Sequence, residues 1–218
     1  MGMGTAIPAF ASTSGSAGTP VGSSASQVSQ QVASQNFQHT VALLQKFLHR
    51  NSDGTFRLDL PPGLTKQLSA TQLVDTSYNR IISGMMMVNS LISEGKLKST
   101  SSMEVYDPSV TNNFSIQGNL NQLVWQWWGV QIYLNNTNTQ KLIWIMAGGA
   151  GAVTIGAAVA GMVPGGQILS GVLWIFDGLI GIGGAAIGYN DVNGQGIVID
   201  CTYPVPPLYI PYVWVYSQ

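Results

Sequence analysis

The 218-residue chain suffices for one domain, or a domain with a tail, and only 8% of it is Asp, Glu, Lys or Arg, against about 25% in an ordinary soluble domain. A formal charge of −1 supplies no field to attract nucleic acid or acidic substrates. The single cysteine, Cys201, excludes an intramolecular disulfide framework and a Cys-rich zinc site.

Solubility must then rest on Ser, Thr, Asn and Gln, a surface more familiar in secreted proteins. The charges are also unevenly placed. All 8 Lys and Arg residues fall between Lys46 and Lys141, and beyond Lys141 only Asp177, Asp191 and Asp200 are charged.

Residues 1–25 are Ser, Gly, Ala and Thr with Pro8 and Pro20, a composition that buries too little to repay ordering and reads as a flexible tail. It lacks the basic start and apolar run of a signal peptide, so export would need another route or a removed leader. Residues 26–136 form a region of helices and strands. From Ser26 to His49 the positions Val28, Val32, Phe37, Val41, Leu44 and Leu48 recur at helical spacing. Asn51-Ser52-Asp53-Gly54 ends that helix, and Thr55–Leu60 is a short strand. Ser69 to Gln72 reads as a capping box opening a second helix, whose stripe of Val74, Tyr78, Ile81, Met85, Val88 and Ile92 approaches a heptad seam. Short strands are expected near Met103–Tyr106 and Asn113–Gln117. Leu123–Leu134 reads as one strand, with Trp125, Trp127 and Trp128 crowding its start.

Residues 137–191 are the organising stretch, opened by a cap at Thr137 and Gln140. Two apolar arms of about 22 residues flank the turn Pro164-Gly165-Gly166, and Asp177 is the only charge between Lys141 and Asp191. At ~1.5 Å per residue each arm would cross a hydrocarbon core of ~30 Å. Expected membrane-facing residues are Leu142, Ile145, Val153, Val159, Pro164, Leu169, Leu173, Ile175, Leu179 and Ile182. Asp177 is a candidate pH-sensitive switch, because a carboxylate at bilayer depth is costly unless protonated. Aromatics gather around both ends of the hairpin: Trp125, Trp127, Trp128 and Trp144 on one side, Tyr189, Tyr212 and Trp214 on the other. Indole and phenol rings favour the headgroup level. Residues 192–218 then supply a turn at Asn193-Gly194, a strand with Ile197, Ile199 and Cys201 on one face, and an aromatic strand. Pro211 assigns that last strand to a sheet edge.

Enzymatic motifs are weak. Gly148-Gly149-Ala150-Gly151 lies in an apolar segment and lacks the Walker lysine, and His39 and His49 are poorly placed as joint ligands. No catalytic residue, cofactor or metal site is expected.

The blocks Trp128–Leu134, the Gly/Ala-rich hairpin, Asn193–Val198 and Pro211–Trp214 resemble a group of small, low-charge bacterial proteins, some described as bacteriocin-like, over roughly the last 95 residues. The hairpin is also similar in architecture to the uncharged helical hairpin of pore-forming colicins, whose large helical bundle has no counterpart here. The resemblance implies a secreted protein and carries no established activity with it; the membrane-active expectation rests on the hairpin itself. The expected fold is α+β: two amphipathic helices, an antiparallel sheet of short strands and a hydrophobic helical hairpin. The leading expectation is a non-enzymatic, membrane-active or pore-forming protein whose partners are a lipid bilayer and copies of itself, with no nucleic acid and no small-molecule substrate. The alternative is a self-assembling extracellular structural protein whose hairpin packs between protomers.

Overall fold

The computed structural model describes residues 23–64, 66, 72–110, 120–167, 174–191, 194–202 and 212–218. Of the tail expected at residues 1–25, residues 1–22 lie outside them, as do the Ser69 cap, the strand at residues 113–117, and Leu169 and Leu173; residues 23–25 instead open the first helix.

Helices α1 (Ser23–Gln45) and α2 (Gln72–Ser93) pack on each other. Phe37, Val41 and Leu44 of α1 are buried, as are Ile81, Met85, Val88 and Ile92 of α2, so the seam of α2 is an intramolecular core stripe. Contrary to expectation, α1 stops at Gln45. His49 stands instead on strand β1 (Leu48–Arg50), with Nε2 3.6 Å from the Asp59 carboxylate. β1 pairs antiparallel with β2 (Phe56–Leu58) around a turn in which Asp53 Oδ1 accepts from the Thr55 amide and hydroxyl. Those bonds hold the Asp53 carboxyl below its ordinary range. Asn89 of α2 serves β2 as a strand would, accepting from Phe56 N at 2.7 Å and donating to Phe56 O at 2.8 Å.

The main sheet has six strands in sequence order: β3 (Lys98–Ser99), β4 (Val105–Tyr106), β5 (Gln122–Gln126), β6 (Gly129–Leu134), β7 (Ile197–Thr202) and β8 (Tyr212–Ser217), each antiparallel to the next. The α+β class is as expected, and β8 lies at the edge. The single strand expected over Leu123–Leu134 is instead two strands folded back on each other. Gln126 pairs with Gly129, so Trp127 and Trp128 form a two-residue hairpin loop. A side chain at Gly129 would collide with the Cys201 carbonyl on β7, which requires glycine at the bend. Gly84 plays the same part on α2, whose backbone lies directly on the Trp128 carbonyl.

The two faces of the sheet differ in chemistry. One carries Leu123, Trp125, Val130, Ile132, Leu134, Ile197, Ile199 and Cys201, all buried. The other carries Gln126, Gln131, Tyr133, Asp200, Trp214 and Tyr216 in register. α1 covers this second face: the Phe37 ring lies 4.3 Å from that of Trp214 and 5.1 Å from that of Trp128. The apolar face is left to the helices inserted between β6 and β7, which are α3 (Asn136–Ala147), α4 (Ala152–Met162), α5 (Trp174–Ile182) and α6 (Gly184–Asn190). α3 contacts β6, while α5 and α6 contact β8.

These four helices replace the two continuous arms read from the sequence. They run 12, 11, 9 and 7 residues, and among the described residues no helix is long and apolar enough to cross a membrane. The breaks fall at Gly149 (φ +75°) and Gly183 (φ +81°), in a left-handed conformation that stops an α-helix and that hydropathy alone does not register. The cap of α3 also differs from the one expected. Asn135 accepts from Asn138 N at 2.9 Å, two residues before the predicted Thr137. The two ends of the inserted layer do meet: Gln140 donates to Asp191 Oδ2 at 3.4 Å, and Asp191 Oδ1 accepts from Gly196 N at 2.7 Å.

Candidate functional site

A cavity of about 860 Å³ opens at the start of the β5–β6 hairpin. It lies at a thin joint in the sheet: among the described residues, β4 pairs with β5 only through Val105 and Trp125. α1 contributes Gln38, Val41 and Gln45, the hairpin contributes its three tryptophans, and Pro164-Gly165 after α4 closes the far wall. Met103, also on the wall, holds φ +69°, a left-handed conformation unusual for a residue other than glycine. Glu104 and Asp107 are the charged residues among the described lining, which includes no Lys, Arg or His.

Two buried polar atoms on this wall lack a partner: Asp107 Oδ2 and Trp125 Nε1. Asp107 is 6% exposed and Trp125 4%. The other oxygen of Asp107 is occupied, accepting from Ser109 N at 2.8 Å and Ser109 Oγ at 2.7 Å. Leaving such groups unpaired costs on the order of 1–3 kcal/mol each.

On the polar face of the sheet the wall continues into a hydrogen-bonded chain. Gln126 Nε2 donates to Gln131 Oε1 at 2.8 Å, and Gln131 Nε2 donates to Asp200 Oδ1 at 2.9 Å. Tyr216 donates to the same oxygen at 3.2 Å, and Gln38 from α1 donates to Asp200 Oδ2 at 3.0 Å. Every donor to this carboxylate is neutral. Burial raises the Asp200 carboxyl from 3.8 to about 6, outweighing the lowering by its three donors. Burial and then the Asp200 charge raise the Tyr133 and Tyr216 hydroxyls in turn. Asp200 therefore changes charge in mild acid, at the seam between α1 and the sheet.

The residues singled out from sequence are dispersed by the fold. Leu142, Val159 and Leu179 are fully buried, Ile145 and Ile182 are half-buried, and Val153 and Pro164 are exposed. Ile175 lies in α5. Of the aromatics expected at a headgroup level, Trp125, Trp127, Trp128 and Trp214 are instead core residues, and only Trp144 and Tyr189 are exposed, with Tyr212 opening β8. Asp177 is exposed in the first turn of α5, where the positive helix end favours it. Sequence reasoning missed Asp200 and Asp107. Asp200 carried a signal, a lone carboxylate inside an apolar strand, but its partners lie 162, 69 and 16 residues away. Among the described residues no cluster of three or more His, Cys, Asp or Glu is placed to hold a metal. No protein-family model, curated protein or solved structure matches the chain.

Proposed function

We propose that this is a membrane-active protein whose α3–α6 layer is a modified hydrophobic hairpin that meets lipid face-on. The observation that carries the reading is the outward surface of that layer. Each helix presents a large apolar side chain to solvent: Trp144 at 76% exposure, Val153 at 68%, Ile180 at 43% and Tyr189 at 59%. Across residues 136–191 the exposed charges are Lys141 and Asp177 alone. A sparsely charged, aromatic-bearing helical face suits the boundary between headgroups and acyl chains, where an indole of roughly 200 Å² is worth on the order of 3 kcal/mol.

Flotation of the protein with phosphatidylcholine vesicles, with and without anionic lipid, tests this directly. The parent should float and release trapped dye. A Trp144→Glu, Val153→Glu double variant should partition about 100-fold less, with unchanged circular dichroism, since both side chains are exposed. A parent that stays unbound to either vesicle at pH 5 and pH 7 defeats the proposal.

A second reading, assembly of copies through the same face, draws on the bare backbone there. Nothing lies within 4 Å of where side chains would stand at Gly151, Gly161 or Gly181, which suits close helix approach. Concentration-dependent assembly without lipid would favour it.

A further inference from the structure

We infer that strand β8 is a docking edge for a second copy of this chain, the two copies pairing antiparallel through Val213, Val215 and Ser217 so that their sheets join into one. The inference goes beyond the membrane reading and uses none of the outward face of α3–α6. It begins with the phase of the last strand. Gln218 N donates to Gly196 O at 3.1 Å. Antiparallel positions alternate between bonded and non-bonded pairs, and β8 keeps continuous register with β7 from Tyr212 to Ser217. Tyr212, Trp214 and Tyr216 therefore turn their backbone groups toward β7, while Val213, Val215 and Ser217 turn theirs away. Among the described residues β7 is the one strand beside β8, and no other hydrogen bond reaches the backbone of those three.

The two edges of this sheet differ. The β3 edge is two residues long, carries Lys98, and has the Ser99 carbonyl taken by Arg50 Nη2 at 3.2 Å. Brevity, charge and cover are the means by which sheets avoid meeting edge to edge. β8 has none of them: it runs six residues, Tyr-Val-Trp-Val-Tyr-Ser, without charge, proline or bulge. Its burial is also incomplete. Every residue of β7 is buried, whereas Val213 and Val215, on the same face as Cys201 and Ile199, are half-buried although α5 and α6 reach the strand. A neighbouring strand would complete their cover.

A second copy fits because β8 is complementary to itself. With Val215 opposite the partner's Val215, Val213 falls opposite the partner's Ser217, and each outward pair exchanges N–H to O=C bonds. Trp214 falls opposite the partner's Tyr216, and no like charges meet. Such an interface is isologous and closes at two molecules, and the guarded β3 edge offers no route to a filament. The two-fold axis stands perpendicular to the sheet, which puts both α3–α6 layers on one face of the pair. Segments of the chain outside the described residues suit the edge less well. Residues 203–211 include Pro204, Pro206, Pro207 and Pro211, which have no N–H to donate, and residues 1–22 are rich in Gly and Ala with Pro8 and Pro20.

The test is sedimentation equilibrium of the full-length protein in lipid-free buffer from about 1 to about 200 µM, beside residue-resolved amide exchange. The parent should pass from one chain to two across that range, and the Val213, Val215 and Ser217 amides should exchange more slowly as it does. Val215→Lys and Val215→Glu each set like charges face to face at the centre of the interface. Each alone should weaken pairing about tenfold or more at unchanged circular dichroism, and mixing the two variants should restore it. The Trp144→Glu, Val153→Glu double variant should pair as the parent does, which separates this edge from assembly through α3–α6. Exchange in the parent decides the matter if the Val215 variants do not fold. Any of four results overturns the inference: a monomer throughout, assemblies larger than two, pairing that the single Val215 variants leave intact, or protection of the three amides that does not change with concentration. The last would mean that the chain's own segment covers the edge.

Discussion

Replacing Asp200 by Asn should stabilise the protein at neutral pH. The carboxylate is 1% exposed, bonded only to neutral donors, and ionises at about 6 instead of 3.8. A group whose folded value lies above its unfolded one binds its proton more tightly when folded. That contribution is fully present below about pH 4 and is lost as pH rises through 6. At about 1.4 kcal/mol per unit, the full excursion is on the order of 3 kcal/mol of stability forfeited above pH 7. An asparagine stays neutral throughout. Its oxygen still accepts from Gln131 and Tyr216, and rotation of the Gln38 amide lets that side chain accept from the new NH₂. Urea melts of parent and Asp200→Asn between pH 4 and pH 8 supply the measurement. The variant should gain up to about 3 kcal/mol at pH 7.5, equivalent to roughly 6–12 °C in melting temperature, and the gain should vanish near pH 4. A gap that is constant with pH, or a variant less stable at pH 7.5, refutes desolvation as the dominant effect on this carboxylate.

Gly84→Ala should destabilise despite the better helix propensity of alanine. Propensity offers about 1 kcal/mol, but the new methyl group would overlap the Trp128 carbonyl in the β5–β6 hairpin loop, a backbone that cannot give way cheaply; a net loss above about 2 kcal/mol by denaturant melts is expected. Cys201 is fully buried and its thiol is held well above its usual range by burial first and by Asp200 second, so in native buffer it should react with a thiol reagent only at the rate of unfolding, and at once in denaturant.

Legibility in the sequence followed the range over which each element is specified. The α2 stripe was readable because Ile81, Met85, Val88 and Ile92 recur at helical period within one segment, and the β7 face because Ile197, Ile199 and Cys201 alternate. The hairpin inside Leu123–Leu134 escaped because Trp127 and Trp128 carry none of the usual turn chemistry. A signal was nonetheless there. The apolar-face residues fall on odd positions at Leu123 and Trp125, then on even positions at Val130, Ile132 and Leu134, a change of phase that one uninterrupted strand cannot make without exposing half its core. The broken arms escaped for another reason: hydropathy scores Gly148-Gly149 and Gly183-Gly184 as membrane-compatible without registering that a left-handed glycine ends a helix. The unpartnered atoms of Asp107 and Trp125 had no local signal, since an unpaired buried atom exists only once the fold has removed its alternatives.

The unequal chemistry of the two sheet faces constrains how the α3–α6 layer can meet lipid. α1 is fastened to the polar face by the Gln38–Asp200 bond and by the stacking of Phe37 on Trp128 and Trp214. The layer on the other face is held largely by apolar contact, with polar ties concentrated at its two ends, at Asn135, Thr139 and Asp191. Leu142, Val159 and Leu179 are fully buried, so they cannot face lipid unless the layer first opens. Under the proposed membrane role, Trp144, Val153, Ile180 and Tyr189 would meet lipid with no such cost. Face-on binding therefore depends on the second set and is indifferent to clamping the layer to the sheet, whereas a pore built from the same residues requires detachment and depends on both. Under the proposed membrane role, binding would come first, with any deeper insertion a separate and costlier step.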